Sequence, residues 1–391
     1  MISKRNSRLY IVTQFLHSLV FTIPIWIVFY QGRLTSIEIS ILVAFQYFIQ
    51  VIGELPTGAF ADLLGKRLTS ILGFFFGSIS FLLFPLASSF SHFMVLAALV
   101  GIADSLLSGS VEALVYDSLK QDGQENMFSK VLGKQALWYQ IGLVSATFLG
   151  GFLYSYYYGL PYILYGLSLL SAFVLSFFFV EPTVDSEKFT LRNYLRQIKF
   201  GSKEAFKNKP TASISLFYIL VGAITWTCAL YFNGYVLVEL GFSNQERGVI
   251  DAALRLGNIL ILTNLIKNSH IFTEKLSILF FPIIMVFSLL PGFLLQGWIG
   301  VPFVAGGMMA STARWMILTK YTNQAFDSKY RATAISLLSM LIGVLYIIIT
   351  FTSGPIISLF SVKWMYTLLG ILTLITVFPL SLYLVKRYRF S

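Results

Sequence analysis

Long apolar runs, each about 20 residues, alternate along this chain with short polar gaps. As a helix, a run of that length spans a hydrocarbon layer of roughly 30 Å. Inside such a layer only a helix or a closed barrel satisfies its own backbone. The runs fall at about 9–30, 37–61, 69–88, 92–116, 130–153, 160–181, 211–237, 246–266, 273–293, 297–319, 331–356 and 362–385. They predict an all-α membrane protein with twelve crossings. One long polar stretch, about 182–210, divides the runs six and six. The expected organisation is an N-terminal six-helix bundle over 1–185, a linker over 186–210 and a C-terminal six-helix bundle over 211–391. The first run, Leu9 to Tyr30, follows basic residues, lacks a small-residue cleavage site and is longer than a signal-peptide core. It is therefore read as the first helix.

The polar gaps sort by charge. Lys4, Arg5 and Arg8 precede the first run, and Lys66 and Arg67 follow the second. Further Lys and Arg residues crowd every second gap, the linker and the tail, whereas the alternate gaps hold little beyond Arg33, Arg247 and Lys363. A periodic Lys/Arg excess marks cytoplasmic loops, so both termini are expected inside, in the cell inner membrane. Only 12 % of the residues are charged and 57 % are hydrophobic, against about 25 % charged in soluble domains. The net charge of +11 does not indicate nucleic-acid binding, because it is spread over short loops beside apolar runs. There it reads as a topology signal and as contact with anionic membrane lipids. Cys228 is the one cysteine, which excludes a disulfide scaffold. Within the linker, Leu191, Leu195 and Ile198 alternate with Arg192, Arg196 and Lys199 at helical spacing. This fits an amphipathic surface helix, or equally a plain linker with a solvated basic face.

The sharpest local pattern is Gly53-Glu54-Leu55-Pro56-Thr57-Gly58-Ala59-Phe60-Ala61-Asp62-Leu63-Leu64-Gly65-Lys66-Arg67. Gly58 and Ala59 permit close helix approach, and Gly65 permits a tight turn. Asp62 falls at one helix end, within reach of the next helix's amino end, where a carboxylate can accept backbone N–H groups. Gly58, Asp62, Gly65, Lys66 and Arg67 resemble the signature loop between helices two and three of the major facilitator superfamily. The lead-in from Glu54, and the stretch Ser108 to Leu119, resemble a bacterial drug-efflux-like subset. The resemblance implies a fold of two six-helix bundles working by rocking alternating access. It also implies that the Asp62 loop locks one state near the cytoplasmic ends of helices four and eleven. The chain departs from that pattern in three places. The matching second-half loop, Ile266 to Lys275, lacks the Gly and Asp. No proline follows Gly142, and the early Arg of helix four in many proton-coupled members is missing.

Ionisable groups at membrane depth are costly and usually face a cavity or a partner. The helical rise puts Glu54 about 12 Å from the inner end of its helix and Asp104 near the middle of the fourth. Such acids could carry a coupled proton, Glu54 first and Asp104 second. Glu54 could instead hydrogen-bond within a helix pair around Pro56. Asp251 and Arg255 stand four apart, a spacing that suits an internal ion pair. Arg314 is a candidate anion binder, or a side chain reaching to the inner headgroups. Glu112 is expected to pair with Lys134 or Arg314. Gln14, Gln46, Gln50, Trp138, Gln140, Trp226, Asn233 and Asn258 complete a plausible solute cavity.

No nucleotide-binding loop, metal cluster or catalytic triad is visible, so neither enzymology nor ATP drive has residues to rest on. The expected function is proton-coupled transport of a small organic solute by a monomer with no cofactor. Export by antiport is the first direction considered. The alternatives are an uptake carrier of the same fold, a receptor or assembly protein without transport, and a lipid flippase with a laterally open pocket.

Overall fold

A capping box starts the second apolar block. The backbone N–H and hydroxyl of Thr35 donate to Glu38 Oε2, and the Glu38 N–H donates back to Thr35 Oγ1, closing orphan groups at a helix start. Ser89, Asn208 and Thr273 cap later helices through single side-chain bonds. In the computed structural model, every regular element among the described residues is helical. The structure describes residues 2–183, 191–267, 273–314, 318–328 and 330–387; side chains at 55–60, 62–64, 191–195, 197, 262, 265–267, 274, 319–321 and 387 are not described.

The helices are α1 (Ile2–Ser18), α2 (Trp26–Gln31), α3 (Ser36–Leu64), α4 (Lys66–Leu83), α5 (Phe90–Leu107) and α6 (Ser110–Gln121). Then come α7 (Phe128–Tyr156), α8 (Leu160–Ser176), α9 (Leu191–Ala205), α10 (Lys209–Thr227), α11 (Asn233–Glu239) and α12 (Asn244–Lys267). The last are α13 (Glu274–Leu289), α14 (Val301–Ala313), α15 (Thr319–Gln324), α16 (Arg331–Leu359), α17 (Val362–Leu372) and α18 (Phe378–Arg387). Helical structure occupies all twelve predicted blocks. Among the described residues, eight helical stretches are long and apolar enough to cross a membrane by length and composition. The blocks at 9–30, 160–181, 246–266 and 297–319 are broken, shorter or more heavily charged. The first is interrupted at 19–25, where Pro24 lies between α1 and α2. The fourth block runs on through α6, with Gly109 at φ 77° at the junction.

The chain divides into two compact units. The first comprises Met1–Leu34, Phe45–Leu191 and Asn244–Ala252, and the second Thr35–Ala44, Arg192–Ser243 and Ala253–Ser391. Each therefore includes a short segment from the other half of the sequence. The core of the first unit contains Tyr10, Phe74, Leu114, Tyr165, Leu169 and Phe179 from α1, α4, α6, α8 and the segment after α8. Lipid tails are as apolar as leucine, so such helices associate through close packing and polar contacts. Ser78 Oγ donates to the Gly166 carbonyl at 3.0 Å where α4 meets α8. Where the chain breaks between α1 and α2, the freed Pro24 carbonyl accepts a bond from Arg247 Nε at 3.2 Å. Arg247 is 4 % exposed. Beside it, a Cβ on Gly151 would lie 2.0 Å from the Asn244 carbonyl, so α7 and the start of α12 touch backbone to backbone.

In the second unit α10 packs against α14 and α16. A π-turn at Cys228–Phe232 separates α10 from α11, and another at Thr373–Val377 separates α17 from α18. Helix α9 is docked on protein along its carboxyl end. Glu204 is buried and accepts from the Asp327 N–H at 2.7 Å and from Lys207 Nζ at 2.8 Å. Phe200 stacks on Tyr330 at 5.7 Å, and the Ala205 carbonyl accepts Ser215 Oγ at 2.8 Å. The Glu204 hydrogen bond raises the Lys207 pKa above its ordinary value. Arg196, Lys199 and Lys203 remain exposed.

Candidate functional site

Two glycines set the approach of α3 to α5. A Cβ on Gly53 would lie 2.6 Å from Ser105 Oγ, and one on Gly101 would lie 2.5 Å from the Gln46 carbonyl. At that separation, short polar side chains on the two helices can touch. The Gln46 side chain faces the Asp104 carboxyl. Ser108 Oγ donates to Glu54 Oε1 at 3.4 Å. Positions 46, 50 and 54 step by four along one face of α3, and 104 and 108 do the same from α5 onward. The two acids expected to carry a proton are thus held on one polar seam of the first unit. Glu54 is exposed, while Asp104, Gln46 and Gln50 are half-buried.

The remaining first-unit candidates are more scattered. Gln14 is half-buried on α1; its neighbour Phe15 meets Trp138 of α7 edge-on at 6.0 Å. Gln140 is exposed, and Asp251 is 9 % exposed. Glu112 is exposed in the first turn of α6, where an acid suits the helix dipole. No ion pair joins it to Lys134 among the described residues.

In the second unit Arg314 is fully buried, its guanidinium 5.1 Å from the Tyr218 ring centroid. A Cβ on Gly222 would lie 3.1 Å from Arg314 Nη1, so the absence of a side chain there makes room for the charge. The arginine is therefore enclosed by protein and does not reach outward to headgroups. Asn233 is buried and accepts a hydrogen bond from the Tyr366 hydroxyl. Trp226 lies 5.8 Å from Tyr346, Arg255 is half-buried, and Asn258 is 8 % exposed.

At the signature loop Gly65 takes φ 91° and ψ 150°, a backbone region essentially confined to glycine. Lys66 Nζ pairs with the Asp117 carboxylate. A carboxylate from beyond the signature loop caps α4. Glu181 accepts the Lys66 N–H at 2.8 Å and the Arg67 N–H at 2.6 Å. Arg67 Nη2 in turn donates to the Phe177 carbonyl at 2.8 Å. Gly58 and Asp62 lie on α3, and their expected contacts fall outside the described side chains.

The segment after α8 is pinned from further sides. Asn6 both donates to the Val180 carbonyl at 2.8 Å and accepts its N–H at 3.0 Å. The Thr183 N–H donates to Gln121 Oε1 at 3.0 Å. Glu181, Asp117, Ser108 and Tyr218 were not among the site residues expected from sequence. An acid directly after the sixth apolar block was the available signal for Glu181.

Membrane-length apolar helices, with acids held where two of them meet, define a multi-pass membrane protein. Residues 9–319 match the Major Facilitator Superfamily, and the chain belongs to that superfamily. It is accordingly a transporter-family protein and not an enzyme. It is 26 % identical over 372 residues to the MFS-type transporter YxaM of Bacillus subtilis, covering 92 % of this chain and 90 % of that one. It is 22 % identical over 263 residues to the MFS-type transporter MJ1560 of Methanocaldococcus jannaschii, covering 62 % and 66 % of the two chains. The crystal structure of the nucleoside transporter NupG superposes with TM-score 0.78 over 99 % of this chain and 100 % of that one, at 12 % identity. That likeness is one of fold. None of these three is named as a drug exporter.

Proposed function

We propose that this protein is a proton-coupled secondary transporter of a small organic solute, working by rocking alternating access. The observation that carries the proposal is the α3–α5 seam, where Gln46 faces Asp104 and Ser108 donates to Glu54. Acids in such a position can load and release a proton as their surroundings change. Glu54 is the first proton carrier in this scheme and Asp104 the second. Gln14, Gln50, Trp138 and Gln140 supply solute contacts from the first unit; Trp226, Asn233, Asn258 and the charged Asp251, Arg255 and Arg314 complete the set.

Uptake replaces export as the preferred direction. A solved neighbour in fold is named a nucleoside transporter, the two sequence relatives carry no exporter name, and the chain lacks the proline after Gly142 of the drug-antiporter pattern. Twelve crossings in two six-helix bundles, the linker at 186–210, cytoplasmic termini, a monomeric state and anionic-lipid contacts belong to the same proposal. So does the lock formed by Gly58, Asp62, Gly65, Lys66 and Arg67, to which we add Asp117 and Glu181.

The test is labelled-solute flux into proteoliposomes under an imposed pH gradient, over a panel that includes nucleosides. Glu54→Gln should abolish pH-driven uptake and leave solute exchange at equal pH intact. Undiminished pH-driven flux in that variant would remove Glu54 from coupling. No flux of any solute with intact protein would remove transport itself.

A further inference from the structure

Lys4, Arg5, Arg8, Leu9 and Phe178 line an open cleft of about 560 Å³ in the first unit. All three cations are exposed, and no acid is among the lining residues. None of the three forms an ion pair among the described residues. The nearby Asp122 carboxylate already accepts the Ser3 N–H at 2.9 Å, and its bonds to Ser3 keep its pKa below the ordinary range. Among the described residues, the cleft thus presents three positive charges with no ion-pair partner, at the end of the unit that also holds the Gly65 turn and the Glu181 cap.

Its polarity changes along the helix. Residues 4, 5, 8, 9 and 12 share one face of α1 by helical spacing. The first three are cationic; Leu9 and Val12 are apolar, Val12 being 44 % exposed. Across the cleft Phe178 is 51 % exposed and its neighbour Phe177 48 %. A free anion would use the cations alone and leave these apolar groups uncovered. A phospholipid uses both, with its phosphate among the cations and its acyl chains along Leu9, Val12 and Phe178. Arg5 and Arg8 can each grip a phosphate through two N–H groups.

We propose that this cleft is a binding site for the headgroup of an anionic phospholipid of the inner leaflet. The site ties the start of α1 to the end of α8 through a ligand drawn from the bilayer. It rests on the cytoplasmic amino end and anionic-lipid contacts proposed above, but shares no lining residue with the proposed solute contacts, so its failure and the failure of the transport reading can be told apart.

The test uses the full-length protein in detergent, with lipid adducts counted by native mass spectrometry. Dioleoylphosphatidylglycerol, dioleoylphosphatidylcholine and soluble glycerophosphate are the probes. Arg5→Gln with Arg8→Gln should lower phosphatidylglycerol occupancy about tenfold or more, since each basic side chain near an anionic surface is worth about fivefold. Lys199→Gln with Lys203→Gln removes the same charge from α9 and should leave that occupancy unchanged. Equal losses in the two double variants would overturn the site. So would equal binding of phosphatidylcholine, or glycerophosphate binding as tight as the lipid's. Loss of two positive charges could also disturb insertion, so a second measurement keeps the native charges. p-Benzoylphenylalanine at position 178, irradiated in nanodiscs with equimolar phosphatidylglycerol and phosphatidylcholine, should crosslink mainly the anionic lipid. Equal yields would reject the proposal.

Discussion

Replacing Glu181 with alanine removes the acceptor for two backbone N–H groups at the start of α4. In the structure those bonds run 2.8 Å from Lys66 and 2.6 Å from Arg67. A helix start leaves such donors without intrahelical partners, and the carboxylate also meets the positive end of the helix dipole. Loss of a capping side chain costs about 1 kcal/mol, and each hydrogen bond to a charged group about 1.5–3 kcal/mol. Water can reach this partly exposed site and recovers some of that, so a net cost of about 2 kcal/mol is expected. Glu181→Gln keeps one acceptor but turns an amide donor toward the second N–H, so it should cost roughly half as much. The assay is hydrogen exchange of the Lys66 and Arg67 amides in nanodiscs. A 2 kcal/mol loss should speed their exchange about 30-fold in the alanine variant, with the glutamine variant between it and the parent. Unchanged exchange at both amides, with α4 otherwise intact, would refute the capping role.

The salt bridge beside this cap should respond differently. Lys66 and Asp117 side chains are 13 % and 14 % exposed, so Lys66→Met alone should cost about 3 kcal/mol, and adding Asp117→Leu should recover part of it. Thermal unfolding in detergent checks the order, and a double variant less stable than the single would contradict it. Gly151→Ala drives a Cβ to within 2.0 Å of the Asn244 carbonyl, and overpacking of this sort costs about 1–3 kcal/mol. Hydrogen exchange over residues 244–252 should rise, and an unchanged pattern would mean the contact is not held tightly. Tyr366→Phe strips buried Asn233 of its donor and should lower thermal stability by about 1–3 kcal/mol; an unaltered melting temperature would count against that bond.

Helix positions were legible in the sequence because a membrane helix needs one unbroken property, apolarity over a fixed length. Contacts between blocks were not, because they depend on which faces meet. Gly65 and Lys66 were readable as a turn and an inner anchor, yet the acceptor for the following amides lies 115 residues away at Glu181. The first block read as one helix although Pro24 sits in it, and the structure breaks there. Arg247 read as a loop cation, but it is buried and bonded to the carbonyl which that break frees. In the linker the basic face was visible, whereas the buried Glu204 that fixes α9 to Asp327 had no pattern to announce it. Glu54 and Asp104 stood out in the sequence because acids in apolar blocks are conspicuous. That both lie on one seam follows from Gly53 and Gly101, whose meaning appears only when α3 and α5 are brought together.

The partners of the charged groups separate two kinds of acid in the first unit. Asp117 faces the Lys66 ammonium and Glu181 faces backbone N–H groups. Those partners only donate, so protonating either carboxylate would break its contact. Asp104 and Glu54 instead face Gln46 and Ser108. An amide and a hydroxyl can each donate to a carboxylate or accept from a carboxylic acid. Gaining or losing a proton therefore leaves each seam contact available, with only the direction of the hydrogen bond reversed. A carrier that must cycle its acids through both forms needs that tolerance at the coupling site. It needs the opposite at a lock, where the contact should hold until the helices move. At these four contacts the partners are neutral and reversible on the seam and fixed donors at the start of α4, and that division supports assigning coupling to Glu54 and Asp104 and locking to the Gly65 turn.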